Sequence, residues 1–515
     1  MHGPISDSSR RRETGLPILI LSGALAWCVA AASLCGGAVG EEGRSAGDRQ
    51  ATPVSEARAA DGKSFIGWRE HRIDDSLLSN VALAGADGLA VADLDGDGRL
   101  DVVSVHEDCS VHVRVSFATA DPHKWESHTL LETTPETRDA DFAVRGAEDV
   151  VIGDVNGDGR LDIVACGEKG AIVYFEAPTD PRRMADWKVV PIVPAAKNTG
   201  SVIRVELADV FGDGRLEILA ANKGGTDWLC FRREGAASDP ASWKRLVIGS
   251  TRMPINVRAV DIDGDGDLDV VGGSRGEGKI VLFENLGNDL PWDRKWREIP
   301  LTRRHDVGSG SVTVAGTELN YAIKGKSQGF MMDFADLDRD GRLDIVTILG
   351  PGPGWLKQPA KIDDPWEYHV IGILHPDHTT GLLLVDIDGD GRLDLFTGGY
   401  SYTRRKIDTQ TIVSPKSPCG RLAWFEAPDD PAQSWKLHDI SRRAQGMYDM
   451  FFAHDVNGDG LVDFLATRGN GSPQDGTIWL EQIRSNEPLP VFTSAWPAEE
   501  DSREQPFPVV TLPGK

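Results

Sequence analysis

The chain of 515 residues is long enough for several domains or for one large closed architecture, and its formal net charge is -25. Nucleic-acid binding needs a basic stripe for the phosphates, so this charge argues against a nucleic-acid partner and favours cations. Beyond residue 40 the chain has four cysteines and no CxxC pair. Four are too few for a disulfide scaffold in a chain of this size, and their spacing fits no zinc site.

The first 40 residues predict a targeting segment. Three arginines, Arg10 to Arg12, precede an apolar stretch that ends at Leu34, and Ala38 to Gly40 supply small residues for cleavage. We therefore expect export to the periplasm, the cell surface or the medium. The alternative is an uncleaved N-terminal anchor, because the apolar stretch approaches the length that spans a bilayer. Such an anchor would be the protein's contact with a membrane.

Two flanking segments have the composition of disordered chain. Residues 41–64 are rich in alanine, glycine, serine and charge, and residues 485–515 are rich in proline and glutamate. Segments of this kind bury too little apolar surface to fold on their own. We expect one folded domain between them, over residues 65–484.

A nine-residue acidic motif occurs seven times in this domain. Each copy begins with an aspartate, at Asp93, Asp154, Asp209, Asp261, Asp336, Asp386 and Asp455. Successive copies are 50 to 75 residues apart. Internal repeats with a long, regular period are typical of propellers and solenoids.

Four predicted strands accompany each motif. The motif lies between two short apolar runs, a third run follows, and a fourth opens with a tryptophan in six units: Trp125, Trp187, Trp243, Trp296, Trp366 and Trp435. Short apolar runs bounded by turn residues predict strands, and four strands form one propeller blade. We expect the tryptophans to pack between adjacent blades.

The seventh unit lacks a tryptophan strand of its own. Trp68 opens an unmatched strand ahead of the first motif, so the N-terminus can supply the fourth strand of the last blade and close the ring. Closure removes the exposed strand edge that an open array would leave. The sequence therefore predicts an all-β fold, a seven-bladed propeller of four-stranded blades.

The acidic motifs have the donor chemistry of a calcium site. Oxygen-bearing side chains stand at loop positions one, three, five and nine, with glycine at positions four and six where the loop must curve tightly. Hard oxygen ligands in a flexible loop suit calcium, which takes six to eight of them. The seven loops contain 26 carboxylates and six arginines, and therefore carry most of the chain's net negative charge. Polar turns without a metal are the alternative.

An EF-hand is excluded by one position. That motif needs a bidentate glutamate at position 12 of its loop. The twelfth positions here carry no carboxylate and are Ser104, Ala165, Ala220, Gly272, Thr347, Thr397 and Ala466.

The repeated D-x-D-G-D-G-x-x-D between strands resembles the FG-GAP (VCBS) repeats and is similar to the calcium-binding blades of integrin α-chain propellers. The resemblance covers nearly all of residues 65–484. It implies structural calcium at up to seven sites, with these ligands: Asp93, Asp95, Asp97 and Asp101; Asp154, Asn156, Asp158 and Asp162; Asp209, Asp213 and Glu217; Asp261, Asp263, Asp265 and Asp269; Asp336, Asp338, Asp340 and Asp344; Asp386, Asp388, Asp390 and Asp394; Asp455, Asn457, Asp459 and Asp463.

Two loops depart from the repeat pattern. Phe211 replaces the third-position ligand of the third loop, so we expect that site to be weak or empty. Arg339 replaces a glycine in the fifth loop, which can distort the turn but leaves all four acids in place.

Function is expected at the face opposite the acidic loops. Connections alternate between the two ends of a four-stranded meander, so the long insertions at 302–329, 401–420 and 131–148 all belong to that second face, where binding loops usually collect. The innermost strands also carry polar residues that could line a funnel: Glu148, Asp149, Arg204, Glu206, Asn256, Arg258, Asp333, His378 and Asp449. A water-filled channel with satisfied ion pairs is the alternative.

Two functions remain open from the sequence. The first is an exported, calcium-stabilised binding or adhesion module for a carbohydrate or an extracellular protein. The second is a sugar-acting lyase or dehydratase, since related propellers with this loop resemble the scaffold of aldos-2-ulose dehydratase and the rhamnogalacturonan lyases. Under that reading the candidate catalytic residues are Arg204, Glu206, Arg258, His378 and Asp449. The absence of a cupin-like C-terminal region argues against a complete dehydratase.

Overall fold

The computed structural model describes most of the chain beyond residue 52. The described residues are 53–137, 139–169, 171–192, 200–302, 310–314, 317–321, 329–349, 352–374, 377–401, 419–444, 446–469, 471, 473–496, 503–505, 507 and 510–511. All of them belong to one of two compact units, Thr52–Lys515. No helix among them is long and apolar enough to cross a membrane. The predicted targeting segment lies outside the described residues.

Seven four-stranded antiparallel blades form a ring. The first strand, β1 (Phe65–Asp75), precedes blade one. Blades one to three then follow in chain order, and their strands are β2 (Ala86–Ala92), β3 (Asp101–His106), β4 (Val111–Ala118) and β5 (Trp125–Glu132); β6 (Ala147–Gly153), β7 (Asp162–Gly167), β8 (Ile172–Glu176) and β9 (Lys188–Pro191); β10 (Val202–Ala208), β11 (Glu217–Asn222), β12 (Asp227–Arg233) and β13 (Trp243–Ser250).

Blades four to seven complete the ring, with a hairpin of β18 and β19 inserted between blades four and five. The strands are β14 (Pro254–Val260), β15 (Asp269–Ser274), β16 (Lys279–Asn285) and β17 (Trp296–Pro300); β18 (Gly310–Val314) and β19 (Thr317–Tyr321); β20 (Met332–Ala335), β21 (Asp344–Leu349), β22 (Gly352–Lys357) and β23 (Glu367–Val370); β24 (His378–Val385), β25 (Asp394–Ser401), β26 (Cys419–Glu426) and β27 (Lys436–Arg443); β28 (Phe451–His454), β29 (Asp463–Arg468) and β30 (Gly476–Ser485).

Helix is scarce in the described chain. There are two single-turn α-helices, α1 (Ser76–Ser79) and α2 (Trp292–Lys295), and two 3-10 turns, at Met184–Asp186 and Pro240–Ser242. Two short strands follow β30, namely β31 (Phe492–Thr493) beside β1 and β32 (Val510–Thr511) beside β18. The prediction of an all-β, seven-bladed propeller is confirmed.

The second strand of each blade is buried on both faces. In β3, β7, β11, β15, β21 and β29 every residue is buried. These strands begin with the ninth-position acid of a loop and continue as runs of valine, isoleucine, leucine and alanine. A strand covered on both sides reads as a continuous apolar run rather than an alternating one. The acidic loops are therefore anchored on the most buried strands of the molecule.

The N-terminal strand closes the ring, as the sequence predicts. β1 pairs antiparallel with β30, with Phe65 opposite Ser485, and so supplies the fourth strand of blade seven. Trp68 is 2% exposed and lies between blades six and seven, with its ring centroid 6.0 Å from that of Phe396 and 5.6 Å from that of Phe464. The edge of β30 is thereby covered.

The two flanks predicted to be disordered contact the propeller where they are described. Ala57 and Ala59 are buried in the cluster that surrounds Trp68, and Val54 pairs with Pro490. Phe492 is buried in the same cluster, because β31 adds a fifth strand to blade seven beside β1. Backbone pairing of this kind leaves no compositional signature, which explains the difference from the prediction.

The repeated tryptophans pack at the blade boundaries. Trp187 belongs to the apolar cluster between blades one and two, and Trp243 to the cluster between blades two and three. Each indole also donates a hydrogen bond to a carbonyl of the turn before it, to Pro181 at 2.9 Å and to Ala237 at 3.0 Å. One side chain thus fixes a turn and fills a gap between blades.

Candidate functional site: acidic loops and central channel

The first aspartate of each acidic loop organises the loop backbone. In the second loop Asp154 Oδ1 accepts hydrogen bonds from the N–H groups of Gly157 (2.7 Å) and Asp158 (3.0 Å), and Oδ2 accepts one from Gly159 (2.9 Å). Gly157 and Gly159 have φ values of 80° and 85°, a region that glycine adopts without strain. The curvature of the loop therefore favours glycine at positions four and six.

The ninth-position acid ties the loop to the third strand of its blade. Asp162 Oδ2 accepts from Val155 N–H (3.1 Å) within the loop, while Oδ1 accepts from Ala177 N–H (2.9 Å), just after β8. The same pair of bonds occurs at five further acids: Asp101, Asp269, Asp344, Asp394 and Asp463. This position is thus structural in the protein's own hydrogen-bond network.

Burial raises the pKa of these ninth-position carboxyls. The pKa of Asp101 is raised to about 7 and that of Asp394 to about 8, in both cases mainly because burial disfavours the charged form. Neighbouring loop aspartates raise both values further, whereas the backbone N–H donors oppose the rise. A cation among these carboxylates would favour their ionised forms.

Four loops bring three carboxylates within 4.8 Å of one another. The groups are Asp93, Asp95 and Asp101; Asp261, Asp263 and Asp265; Asp336, Asp338 and Asp340; Asp386, Asp388 and Asp394. In the second and seventh loops an asparagine replaces the third-position acid, and its amide donates to the fifth-position aspartate, as Asn156 does to Asp158 at 3.0 Å. An ion with oxygen ligands at about 2.3–2.6 Å fits such spacings.

The fifth loop keeps its geometry despite Arg339. This residue has a φ of 61°, in the left-handed region where the other loops have glycine. Asp336 still accepts from the N–H groups of Asp340 and Gly341, each at 2.9 Å. Lys357 also contacts Asp338 directly and lies 3.4 Å from Asp340, so a protein cation already accompanies this loop.

The third loop is built differently. Phe211, at the ligand position, stacks on Trp292 with ring centroids 5.2 Å apart, and the Arg232 guanidinium lies 3.6 Å from its ring centroid. Arg232 also forms an ion pair of 2.8 Å with Asp213. Lys295 of α2 is fully buried, and its ammonium lies 5.8 Å from the Phe211 centroid.

Two cationic side chains, Arg232 and Lys295, therefore lie close to the acids of the third loop. Burial lowers the pKa of Lys295, while Asp267, Glu217 and Asp209 act in the opposite direction. Its ammonium donates a hydrogen bond to Asn288 Oδ1 at 2.6 Å. Burial raises the pKa of Glu217 to about 8, and Arg232, 3.9 Å away, opposes this rise. The residues present do not fit a calcium cage here.

The inner strands line a polar channel, and the structure places several of the predicted residues there. Arg204 and Asp449 are each 7% exposed, and Arg204 lies 3.5 Å from Asp149. Glu206 and Arg258 form an ion pair of 3.1 Å, and Arg258 also donates to the Met332 carbonyl at 2.8 Å. These side chains come from blades two, three, four and seven.

Three other residues predicted to line the channel differ from these in burial and in hydrogen bonding. Asn256 is buried, and its side-chain oxygen accepts a hydrogen bond from the backbone N–H of Val257 at 2.8 Å. Asp333 Oδ2 accepts a hydrogen bond from the backbone N–H of Leu384 at 2.8 Å and so links blades five and six. His378 is exposed at the start of β24. These three are therefore less suited to contact a ligand deep in the channel than Arg204 or Glu206.

Several channel atoms have no hydrogen-bond partner among the described residues. They include Arg204 Nε and Asp449 Oδ1. Asp149 Oδ1 and Arg258 Nε also make no hydrogen bond of good geometry, although both lie in the ion pairs described above. Buried polar groups are usually satisfied, because an unpaired buried donor or acceptor costs about 1–3 kcal/mol. The channel is thus polar and combines ion pairs with buried polar atoms that have no partner among the described residues.

Sequence reasoning missed four charged residues at the mouth of the channel, which are Asp87, Glu107, Glu168 and Lys223. Asp87 lies six residues before its loop, as Glu148 and Asp449 do. The other three stand six residues after the ninth-position acids of loops one to three, at the turn that follows the second strand. Counting from the acidic motif would have identified all four. Burial and the carboxylates of Asp449 and Glu148 raise the pKa of Asp87 well above its usual value.

The long insertions of the second face are described only in part. Residues 303–309, 322–328 and 402–418, which make up most of two insertions, lie outside the described residues. The hairpin β18–β19 belongs to the first of them. The third insertion is described apart from one residue and folds as a series of tight turns between Thr134 and Ala143.

Residues 209–272 match the family model described as FG-GAP-like repeat. The matched segment runs from the third acidic loop through the fourth, which is one full repeat period. No curated protein matches the sequence.

Several solved structures match the chain at low identity and with TM-scores below 0.5. An Agrocybe aegerita lectin, described as recognising non-reducing terminal N-acetylglucosamine, is 14% identical with a TM-score of 0.43, over 80% of this chain and 88% of its own. YCF48 from Cyanidioschyzon merolae is 10% identical with a TM-score of 0.43, over 80% and 98%. The S. cerevisiae core factor is 11% identical with a TM-score of 0.39, over 83% and 62%. Similarity at this level does not extend to function.

Proposed function

Because the chain is a seven-bladed β-propeller with FG-GAP-like repeats, we propose that it is an exported, calcium-binding module that holds a carbohydrate or an extracellular protein at the face opposite its acidic loops. One observation carries the ligand site. The channel contains buried charged groups, notably Arg204 and Asp149, whose hydrogen-bonding capacity is not used up within the described chain. A ligand that both donates and accepts hydrogen bonds would satisfy them.

Carbohydrate is the ligand class that this pairing favours. A sugar hydroxyl can accept from a guanidinium N–H and donate to a carboxylate at the same time. Phe330, half-buried, lies 5.3 Å from the Arg204 guanidinium and offers an apolar ring to a sugar face. Glu206 and Arg258 are partly exposed, at 22% and 37% of their side chains, and stand nearer the acidic loops, where they would contact the part of the ligand that reaches furthest along the channel.

The experiment exposes the calcium-loaded full-length protein to a panel of polysaccharides and oligosaccharides and measures retention. We expect Arg258→Ala to weaken binding of the retained glycan at least about tenfold, since a hydrogen bond to a charged group contributes about 1.5–3 kcal/mol. Arg183→Ala is the matched control, because Arg183 is an exposed arginine whose ion pair with Asp186 is remote from the channel. Equal retention by wild type and Arg258→Ala would place the ligand elsewhere.

A sugar-acting lyase or dehydratase is the second candidate. The observation that favours it is the Glu206–Arg258 pair, in which burial raises the pKa of Glu206 while Arg258 opposes the rise. A carboxyl with a raised pKa beside a guanidinium can serve as a general acid or base. Mass spectrometry of the same incubations detects any product formed from the glycans. A product that forms with wild type and not with Glu206→Gln would show that the protein is an enzyme and that Glu206 takes part in the reaction.

Calcium in this proposal is structural and belongs to the acidic loops. Support comes from the three-carboxylate groups of loops one, four, five and six and from the glycines that fix the loop curvature. When bound, the ion would neutralise repulsion among the carboxylates. Export rests on the N-terminal sequence alone, and N-terminal sequencing of the mature protein from its native source tests it.

Calcium stoichiometry should distinguish the third loop from the fourth. We expect Asp261→Asn to lower the number of calcium ions bound per chain by one, because it removes a carboxylate from a group of three. The same change at Asp209 should leave the number unchanged, since Arg232 and Lys295 supply the positive charge there. Metal analysis after gel filtration in calcium buffer measures both. The loss of one ion in the Asp209→Asn protein would contradict this assignment.

A further inference from the structure

Seven equivalent side chains surround the channel at one level, one from the innermost strand of each blade. Each stands three residues before the first aspartate of its acidic loop. In every blade it pairs with the residue two positions after the ninth-position acid, so the register places all seven at the same height. All seven are half-buried or exposed, whereas the residue before each of them is buried in six of the seven blades. We call this set the channel ring.

The channel ring is divided into a charged arc and an apolar arc. Three consecutive blades, three to five, supply the charged arc, which is Glu206, Arg258 and Asp333. The other four blades follow one another around the closed ring and supply the apolar arc, which is Leu383, Phe452, Ala90 and Val151. One side of the channel at this level is therefore charged, and the other side is apolar.

Phe452 provides the largest surface of the apolar arc. It is 37% exposed, and among the exposed large apolar side chains of the described chain it is the one that belongs to an innermost strand. The preceding residue, Phe451, packs between blades six and seven, with its ring centroid 4.9 Å from that of Phe396. Successive side chains of a strand point in opposite directions, so Phe452 faces away from that interface. Its ring can therefore contact a molecule in the channel.

The charged arc offers mainly hydrogen-bond donors to such a molecule. Arg258 has the more exposed side chain of the Glu206–Arg258 ion pair, at 37% against 22%. The two carboxylate oxygens of Asp333 already accept hydrogen bonds from the backbone N–H groups of Phe334 (2.9 Å) and Leu384 (2.8 Å). A guanidinium donates and cannot accept. A ligand group that accepts hydrogen bonds would thus pair with Arg258.

We propose that the channel ligand carries an aryl or alkyl substituent next to a hydrogen-bond acceptor, with the substituent on the apolar arc and the acceptor at Arg258. This inference rests on the proposed binding function and adds the chemistry of the part of the ligand that reaches the channel ring. Ligand sites are typically lined by apolar and aromatic side chains with a few placed polar groups, and the channel ring has this composition. A glycoconjugate with an apolar substituent therefore fits better than an unsubstituted polysaccharide.

The experiment titrates anilinonaphthalene sulfonate into the calcium-loaded full-length protein and follows the fluorescence of the probe. The probe combines aromatic rings with an acceptor group. We expect Phe452→Ala to weaken its binding on the order of tenfold, because apolar burial provides most of its affinity. Phe452→Leu keeps an apolar side chain and should weaken binding less. Val370→Ala is the matched control, because Val370 is 45% exposed but lies on the outermost strand of blade five.

Two glucosides test the apolar substituent itself. Octyl β-glucoside, kept below its micelle-forming concentration, should displace the probe from wild type at a concentration at least about tenfold lower than methyl β-glucoside does, because the two share the sugar and differ in the buried chain. In Phe452→Ala the difference between the two glucosides should shrink. Thermal melting of each variant confirms that it is folded.

Each outcome decides for or against the apolar subsite. Weaker probe binding in Phe452→Ala, wild-type binding in Val370→Ala and stronger displacement by octyl β-glucoside together support it. Unchanged probe affinity in Phe452→Ala overturns it, as do equal weakening in Val370→Ala and equal or absent displacement by the two glucosides. A failure of the proposed function is a separate result, because it consists of glycan retention that does not depend on Arg258.

Discussion

Removal of calcium by EDTA is expected to lower the melting temperature of the full-length protein on the order of 10 °C. A ligand that binds only the folded state adds about 2.7 kcal/mol per site when its concentration is one hundred times its dissociation constant. Under the proposed assignment several such sites act together, because four loops each gather three carboxylates within 4.8 Å. Without the ion, these carboxylates repel one another.

Differential scanning calorimetry with and without EDTA measures this effect, and back-addition of calcium should restore the original transition. Magnesium is the control ion, because it demands shorter bonds and near-octahedral geometry and fits a flexible oxygen loop poorly. A melting temperature that is unchanged in EDTA would refute structural calcium in the loops.

Loss of ring closure is expected to be more damaging than any loop substitution. Trp68→Ala should lower the free energy of unfolding by about 3–5 kcal/mol, because it leaves a large cavity between blades six and seven. The indole is 2% exposed and packs against Phe396 and Phe464. Chemical denaturation followed by tryptophan fluorescence and circular dichroism measures the change.

Trp125→Ala provides the matched control for ring closure. Trp125 opens the fourth strand of blade one, and Trp68 lies in the fourth strand of blade seven. Unlike Trp68, Trp125 is only half-buried. We therefore expect Trp125→Ala to lower the free energy of unfolding by less than Trp68→Ala does.

Deletion of residues 53–75 tests closure directly, because it uncovers the edge of β30 and should give aggregation through strand pairing. A soluble, monomeric deletion variant with an unchanged transition would contradict the role of β1.

The fold could be predicted from the sequence because its signals are local and repeated. The acidic motif and the apolar runs around it recur in all seven units and the tryptophan strand in six, so the unmatched Trp68 strand identifies the closing partner. The repeat therefore determines blade number, strand number and closure. The contacts of residues 53–64 and 485–496 with blade seven escaped prediction, because single backbone pairs such as Val54 with Pro490 leave no pattern in composition.

The candidate sites could be predicted only in part. Loop positions follow from the motif, but the cations of the third loop come from elsewhere in the chain, Arg232 on β12 and Lys295 on α2 of the next blade. The group of Glu107, Glu148 and Glu168, whose carboxylate oxygens lie within 4.8 Å of one another, was missed because Glu107 and Glu168 look like ordinary turn residues in the sequence. Only the register of neighbouring blades brings them together with Glu148. Contacts between distant turns are a property of the closed ring.

Pairing of the two chain ends within one blade also constrains how the protein is made. Phe65 lies opposite Ser485, so the last blade cannot be completed until nearly the whole chain has left the ribosome. Blades one to six consist of strands that are close in sequence and can form as synthesis proceeds at about 5–20 residues per second. The last and slowest step of folding is then the pairing of the N-terminal strand β1 with β30, because the two strands are very far apart in the sequence. The ring therefore remains open until this last strand has been synthesised.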